Sequence, residues 1–90
     1  MIDIVKIVKV ETLGDFRLRL RFSDGTEGTR DFSDIVAEGG PMVAPLKEPN
    51  FFARVFIELG TLTWPNGFDL DTIALHDEMK VSGVLQRSAA

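Results

Sequence analysis

Cysteine is absent from the 90-residue chain, and histidine occurs once, as His76. Without cysteine the protein has no disulfide framework, no thiolate nucleophile and no cysteine-ligated zinc site. No apolar stretch is long enough to span a bilayer, and the apolar start, residues 1–6, is interrupted by charge, which is not typical of a signal peptide. These features predict a cytoplasmic protein in a reducing compartment.

Groupings of catalytic residues are missing as well. Ser23, Ser33 and Ser82 have only His76 as a base, and no nucleophile-elbow motif surrounds any of them. The segment Gly39-Gly40-Pro41 lacks the lysine and the serine or threonine of a phosphate-binding loop. The sequence therefore predicts neither an enzyme nor a bound cofactor.

Positive charge is scarce in the later part of the chain. The formal net charge is −4; residues 1–31 hold six basic and six acidic side chains, whereas residues 32–90 hold four basic and eight acidic ones. An acidic balance disfavours generic binding to a phosphate backbone, which requires clustered lysine and arginine. It is compatible with a basic protein partner.

The clearest strand covers residues 16–22, where apolar and basic side chains alternate strictly. One face holds Phe16, Leu18, Leu20 and Phe22, and the other holds Arg17, Arg19 and Arg21. The turn signature that follows, Phe22-Ser23-Asp24-Gly25, predicts a hairpin to a strand at residues 26–31.

The charged residues of this hairpin indicate its register. A two-residue loop sets Arg19 against Arg30, two like charges. A three-residue loop with Gly25 in the left-handed region instead gives two pairs of opposite charge, Arg21 with Glu27 and Arg17 with Asp31. Opposite charges across strands stabilise and like charges destabilise, so we predict the three-residue loop. Arg30 then lies on the apolar face and has to snorkel at the margin of the sheet, with its charged end in water.

The whole pattern predicts one small α+β domain over residues 1–90, with a mostly antiparallel sheet of about five strands and short helices packed on one face. The strands are expected near residues 4–10, 16–22, 26–31, 53–59 and 62–64, with residues 4–10 in the centre of the sheet and turns at Leu13-Gly14-Asp15 and Gly60-Thr61.

Helices are expected at three places. Ser33 or Asp34 caps a short one that ends at Gly39, and Pro49 begins another that reaches Phe52, with Leu46 filling the core between them. The third helix is expected to continue into residues 76–90 and to be followed, after Ser82-Gly83, by a frayed tail. This last helix is capped by Asp71 or Thr72 and carries Ile73, Leu75 and Met79.

A second turn signature, Trp64-Pro65-Asn66-Gly67, follows the last strand. Pro65 suits the second position of a turn, and Asn66 or Gly67 tolerates a positive φ. Trp64 alternates with Leu62, so it is expected to be the largest anchor of the core, with its indole N–H bonded to a backbone acceptor near the turn. A ligand-stacking role for this ring is the alternative.

The two turn signatures and the segments between them occur in the order found in the domain of unknown function 2442 family, which residues 3–75 resemble. The most specific part is Trp64-Pro65-Asn66-Gly67 followed by Asp69-Leu70. The resemblance implies a compact prokaryotic α+β domain without an established activity. Family members are often encoded beside other very small proteins suspected of being toxins, which implies an antitoxin-like or accessory role.

Two charged groups are candidate sites. The face of Arg17, Arg19 and Arg21 lacks the exposed aromatic residues that RNA-binding sheets interleave with basic ones, so a solvated, salt-bridged face is expected. The acidic group near the end of the chain has neither EF-hand spacing nor a second histidine, so helix capping and a lone surface histidine are expected in place of a metal site. Its members are Asp69, Asp71, His76 and Asp77.

Three functions stay open on this basis. The favoured one is a non-catalytic protein-interaction module that binds a small basic protein through an edge strand or through the acidic surface of Asp69, Asp71, Asp77 and Glu78. An edge strand can also pair with a second copy of the chain. The second is a nucleic-acid-associated accessory that uses the arginine face, and the third is a cryptic ligand-binding domain.

Overall fold

The computed structural model of the chain describes residues 4–88. Within them the chain forms six strands, three α-helices and a 3₁₀ turn at Ala44–Lys47. The strands are β1 (Ile7–Gly14), β2 (Arg17–Phe22), β3 (Thr26–Asp31), β4 (Phe56–Glu58), β5 (Thr61–Thr63) and β6 (Gln86–Arg87). The helices are α1 (Ser33–Glu38), α2 (Pro49–Phe52) and α3 (Thr72–Val81). No helix among the described residues is long and apolar enough to cross a membrane.

The predicted α+β class is confirmed, and the strands are divided between two antiparallel sheets. The larger sheet has the order β1-β2-β3-β6, and the smaller one is the β4–β5 hairpin. The prediction that the first strand is central is wrong, because β1 lies at an edge. Within this sheet β1 pairs only with β2, and the apolar residues on its second face, such as Val8 (55% exposed), face solvent and not a second layer.

The register predicted for the β2–β3 hairpin is confirmed. Arg21 lies opposite Glu27, and Arg17 lies opposite Asp31. Gly25 has a φ of 88°, in the region that favours glycine. The ion pair across these strands is diagonal, because the guanidinium of Arg19 lies 3.2 Å from the Glu27 carboxylate.

Arg30 lies on the apolar side of β3, as expected, and its head group reaches two exposed carboxylates at the margin of the sheet. Its side chain is only 11% exposed, and its guanidinium lies 4.8 Å from the centre of the Phe32 ring. It donates hydrogen bonds to the carboxylates of Asp34 in α1 (3.2 Å) and Glu78 in α3 (2.8 Å). The pair of carboxylates replaces the water that a charged group on an apolar face would otherwise need.

The short helices form where they were predicted, but α1 is capped differently. Neither Ser33 nor Asp34 caps it; Asp31, the last residue of β3, accepts hydrogen bonds from the Ser33 hydroxyl and from the Ser33 N–H (2.8 Å). These bonds lower the pKa of Asp31 below its usual value. The strand expected at residues 53–59 shortens to β4, since the N–H groups of residues 53 and 54 still bond to carbonyls of α2.

Trp64 anchors the core, as predicted, and is 1% exposed. Its indole N–H donates to the carbonyl of Phe52 at the end of α2 (3.0 Å), so the acceptor lies twelve residues earlier and not near the turn. The ring packs between Phe52 and Phe68, with centroids 5.6 and 5.7 Å away. The other large side chains that are fully buried are Ile7, Leu18, Leu20, Phe22, Phe32, Leu46, Leu62 and Met79.

The tail expected to be frayed forms β6 instead, which pairs with the outer edge of β3. Gly83, with a φ of 80°, ends α3 and turns the chain back. The chain then crosses Gly28 so closely that a Cβ there would lie 2.4 Å from the Val84 carbonyl oxygen. Residues 89–90 of the predicted tail lie outside the described residues.

Candidate partner-binding surface

Three segments that are distant in sequence meet at the carbonyl oxygen of Gly60. It accepts hydrogen bonds from the Ile7 N–H (2.9 Å) and from the Thr72 hydroxyl (2.9 Å). Gly60 also has no room for a side chain, since a Cβ there would lie 2.7 Å from the Cβ of Lys6. The residues before β1, the β4–β5 turn and the start of α3 are therefore held side by side.

A hollow of about 350 Å³ lies between these segments. Three apolar side chains that line it are exposed: Ile4 by 66%, Leu59 by 92% and Ile73 by 50%. Asp69, Asp71 and Lys6 also line it. We define the Leu59 surface as Ile4, Leu59, Ile73, Asp69 and Asp71.

Leu59 has an unusual backbone conformation for its residue type. It forms the two-residue turn between β4 and β5 with Gly60, and the φ angles are 52° and 81°. Turns with two positive φ angles favour asparagine or aspartate followed by glycine, because a Cβ is strained in this region. A leucine here is strained and almost fully exposed at once, so neither local propensity nor core packing accounts for it.

Two of the four acidic residues predicted as a partner surface belong to the Leu59 surface. Asp69 is exposed and lies beside β5, where it bridges to Thr63. Asp71 caps α3 as predicted, and its carboxylate accepts a hydrogen bond from the Ile73 N–H (3.0 Å). One carboxylate oxygen of Asp71 is thus committed to the helix.

The other two acidic residues lie further along α3. Glu78 binds Arg30, with an N–O distance of 2.8 Å. Asp77 has a side chain that is 73% exposed and lies 3.8 Å from the nearer nitrogen of His76. Asp69 and Asp71 therefore line the hollow, whereas Glu78 has a structural partner.

His76 is not the lone surface histidine that was expected. Its side chain is 14% exposed, its ring packs edge-on against Phe22 at 4.8 Å, and its Nε2 lies 2.8 Å from the Asp24 carboxylate. The other oxygen of Asp24 accepts hydrogen bonds from the Thr26 N–H and hydroxyl. Partial burial opposes ionisation of Asp24, but the bonds from Thr26 and His76 outweigh it and lower the pKa of this carboxyl.

Arg17, Arg19 and Arg21 share the outer face of the larger sheet, as predicted. Acidic residues alternate with them across the strands, for Glu11 lies opposite Arg19 on one side and Asp31 lies opposite Arg17 on the other. The aromatic residues of this hairpin pack on the core side. The face thus combines both signs of charge without the stacking residues typical of RNA-binding sheets.

Among residues 4–88, no three or more His, Asp or Glu side chains are grouped so that they could hold a metal ion. Asp69, Asp71, His76 and Asp77 instead have the separate contacts described above.

The second turn signature has a structural role. The Gly67 N–H donates to the Trp64 carbonyl (2.9 Å), which leaves Pro65 and Asn66 as the two middle residues, and Gly67 itself has a φ of 91°. The Asn66 amide donates to the Met42 carbonyl (2.9 Å). These residues join the turn to the loop between α1 and the 3₁₀ turn.

The apolar part of the Leu59 surface was missed by the sequence reasoning. The sequence predicts a turn at Gly60-Thr61 and so places Leu59 in the strand before it. In the structure the turn lies one residue earlier, at Leu59-Gly60. The available signal was an apolar residue directly before a glycine between two short strand-like runs.

The fold and its two turns define a small α+β domain built around a buried tryptophan. A family model described as "Protein of unknown function (DUF2442)" matches residues 7–80, so the chain belongs to this family. The match reaches residue 80 and therefore includes most of α3, beyond the residue 75 that was expected. No curated protein and no solved structure gives a significant match.

Proposed function

We propose that this domain works by binding a protein partner, and that the partner docks on the Leu59 surface. The observation that carries the proposal is Leu59 itself, a 92% exposed leucine with a φ of 52°. The partner is a small basic protein, in agreement with the antitoxin-like or accessory role that the family resemblance implies.

The energetics of Leu59 differ between the free and the bound domain. In the free domain, its left-handed conformation costs about 1–2 kcal/mol and its side chain buries almost nothing. Full burial of a leucine side chain against a partner contributes about 1.5–3 kcal/mol. The residue is therefore unfavourable alone and favourable in a complex, as expected of a residue retained for binding.

The surroundings of Leu59 indicate the chemistry of the partner. Ile4 and Ile73 extend the apolar area, so the partner presents an apolar side chain that enters the hollow. Asp69 and Asp71 favour a lysine or arginine beside it, although Lys6 in the same lining offsets one of these charges. The net charge of −4 also steers a basic partner towards the domain at low salt.

The test is co-expression of the full chain with the product of the adjacent gene, followed by affinity measurements. Leu59→Asn keeps the turn, since asparagine suits this conformation, but removes the apolar side chain. We expect it to weaken binding by about 10- to 100-fold while raising the free energy of unfolding by about 0.5–1 kcal/mol. Opposite effects on affinity and stability distinguish a lost contact from a damaged fold.

Val81→Asn is the matched control, because Val81 is 88% exposed at the end of α3, outside the Leu59 surface. It should leave the affinity unchanged. A complex that forms equally well with Leu59→Asn would refute the docking site. The absence of any complex at micromolar concentration, together with tight nucleic-acid binding lost in Arg19→Glu, would support the arginine face instead.

A further inference from the structure

Asn66 is followed directly by Gly67, and both residues belong to the turn after β5. An asparagine before a glycine is the residue of a protein that most readily loses ammonia, because glycine has no Cβ to hinder attack by its own backbone nitrogen. The other asparagine of the chain, Asn50, precedes Phe51, whose side chain hinders the same attack. The sequence therefore points to Asn66 as the place where this modification occurs.

The reaction involves only these two residues and water. The backbone nitrogen of Gly67 forms a bond to Cγ of Asn66 while the Cγ–Nδ2 bond breaks, and the amide proton of Gly67 leaves with Nδ2 as ammonia. Water then adds to either carbonyl of the cyclic imide and opens it to an aspartate or an isoaspartate. The attack has two requirements: the Gly67 nitrogen must give up its proton, and the Asn66 amide must turn its carbon towards that nitrogen.

In the folded domain both reacting groups are held by hydrogen bonds. The Gly67 N–H donates to the Trp64 carbonyl (2.9 Å), which opposes loss of its proton. Nδ2 of Asn66 donates to the Met42 carbonyl (2.9 Å), and Oδ1 accepts a hydrogen bond from the Phe68 N–H (3.3 Å). The side-chain amide is thus fixed at both ends, and it cannot rotate into position until the turn opens.

We propose that Asn66 is a deamidation site that the folded turn protects, and that each conversion permanently releases the turn from the loop of residues 39–43. The reaction proceeds in molecules whose turn has opened, so its rate reports how often this part of the domain opens. An aspartate at position 66 has no N–H to donate, and its carboxylate meets the Met42 carbonyl oxygen as a second acceptor. The protecting contact is therefore absent from the product, and refolding does not restore it.

Mass spectrometry of the full chain after incubation at mildly alkaline pH tests the protection. Trypsin places the two asparagines in different fragments, Asn50 in residues 48–54 and Asn66 in residues 55–80. We expect the second fragment to deamidate at least about tenfold more slowly when the chain is incubated folded than when it is incubated in guanidinium chloride. Equal rates would overturn the protection. In the unfolded chain, a missing conversion at Asn66, or a faster one at Asn50, would overturn the site.

A pair of proline variants distinguishes opening of the turn from unfolding of the whole domain. Pro65→Ala frees the φ angle that proline fixes in the turn, so it should speed deamidation of the folded chain by about two- to fivefold. Pro49→Ala, at the start of α2, is the matched control and should leave the rate unchanged. An equal increase in both variants would show that the reaction requires global unfolding and would overturn the role of the turn.

The release of the loop is tested with a variant that carries the aspartate product. Asn66→Asp should speed hydrogen exchange at the N–H groups of Val43 and Ala44, which bond to the Gly40 carbonyl. Asn50→Asp adds the same charge at an exposed position of α2 and should leave this exchange unchanged. Wild-type exchange in Asn66→Asp would overturn the release, and the rates measured on the wild type decide the protection even if a variant fails to fold.

Discussion

Replacement of Trp64 by alanine tests whether a single side chain supports the junction between the two sheets and α2. The side chain is 1% exposed and lies between Phe52 and Phe68. A tryptophan buries about 150–250 Å², which at about 25 cal/mol per Å² corresponds to about 4–6 kcal/mol. Large-to-small core substitutions of this kind cost about 3–5 kcal/mol in measured cases.

We therefore expect Trp64→Ala to lower the free energy of unfolding by about 4 kcal/mol. A 90-residue domain has about 5–10 kcal/mol in total, so the variant should keep only about 1–6 kcal/mol. Trp64→Phe separates the contribution of ring packing from that of the indole hydrogen bond, because it keeps an aromatic ring but leaves the Phe52 carbonyl without its donor. It should cost about 1–3 kcal/mol.

The assay is guanidinium denaturation followed by far-ultraviolet circular dichroism. Tryptophan fluorescence cannot serve for these variants, because Trp64 is the only tryptophan of the chain. Val81→Ala is a suitable control, since Val81 is 88% exposed at the end of α3 and its loss should cost less than about 0.5 kcal/mol. A transition midpoint for Trp64→Ala equal to that of the wild type would refute the role of this residue as an anchor.

Three further predictions concern the contacts that join the larger sheet to the C-terminal part of the chain. Gly28→Ala should destabilise by more than about 1 kcal/mol and shift the β6 amide resonances, because the new Cβ meets the Val84 carbonyl at 2.4 Å; an unchanged spectrum would contradict this. Glu78→Gln should cost about 0.5–1 kcal/mol in denaturation, since the Arg30 guanidinium keeps only Asp34 as a charged partner. Folding lowers the pKa of Asp24, so this carboxyl stabilises the fold at pH values above its unfolded-state pKa of about 4, and the stabilisation is lost as the pH falls below that value. Asp24→Asn should therefore flatten the pH dependence of the melting temperature in this acid range. A variant with the same acid profile as the wild type would contradict the prediction.

The parts of the fold that could be predicted are those set by neighbouring residues. The β2–β3 register follows from alternating side chains, from charge pairs and from the conformational freedom of Gly25, all within one hairpin. The cap at Asp71 and the start of α2 at Pro49 are likewise local signals.

The parts that could not be predicted depend on contacts between distant segments. The apolar residues at positions 4–10 fall on both faces, which is typical of a central strand, yet Val8 is exposed at an edge. Nothing in residues 84–88 alone indicates that they pair with β3. The Leu59 surface likewise requires Ile4, Leu59 and Ile73 to meet around Gly60, although only the acidic residues beside them were visible as a pattern.

The pairing of β6 with β3 has a consequence for how the protein avoids aggregation. Two residue pairs, Thr26 with Arg87 and Glu27 with Gln86, cover only the first part of the β3 edge, so this contact opens more readily than the rest of the sheet. Each opening uncovers a strand that another molecule could extend into a fibril. This strand carries Glu27 and Asp31, and charges on an edge strand discourage such pairing. The charges of β3 thus protect this edge of the sheet where the short β6 does not cover it.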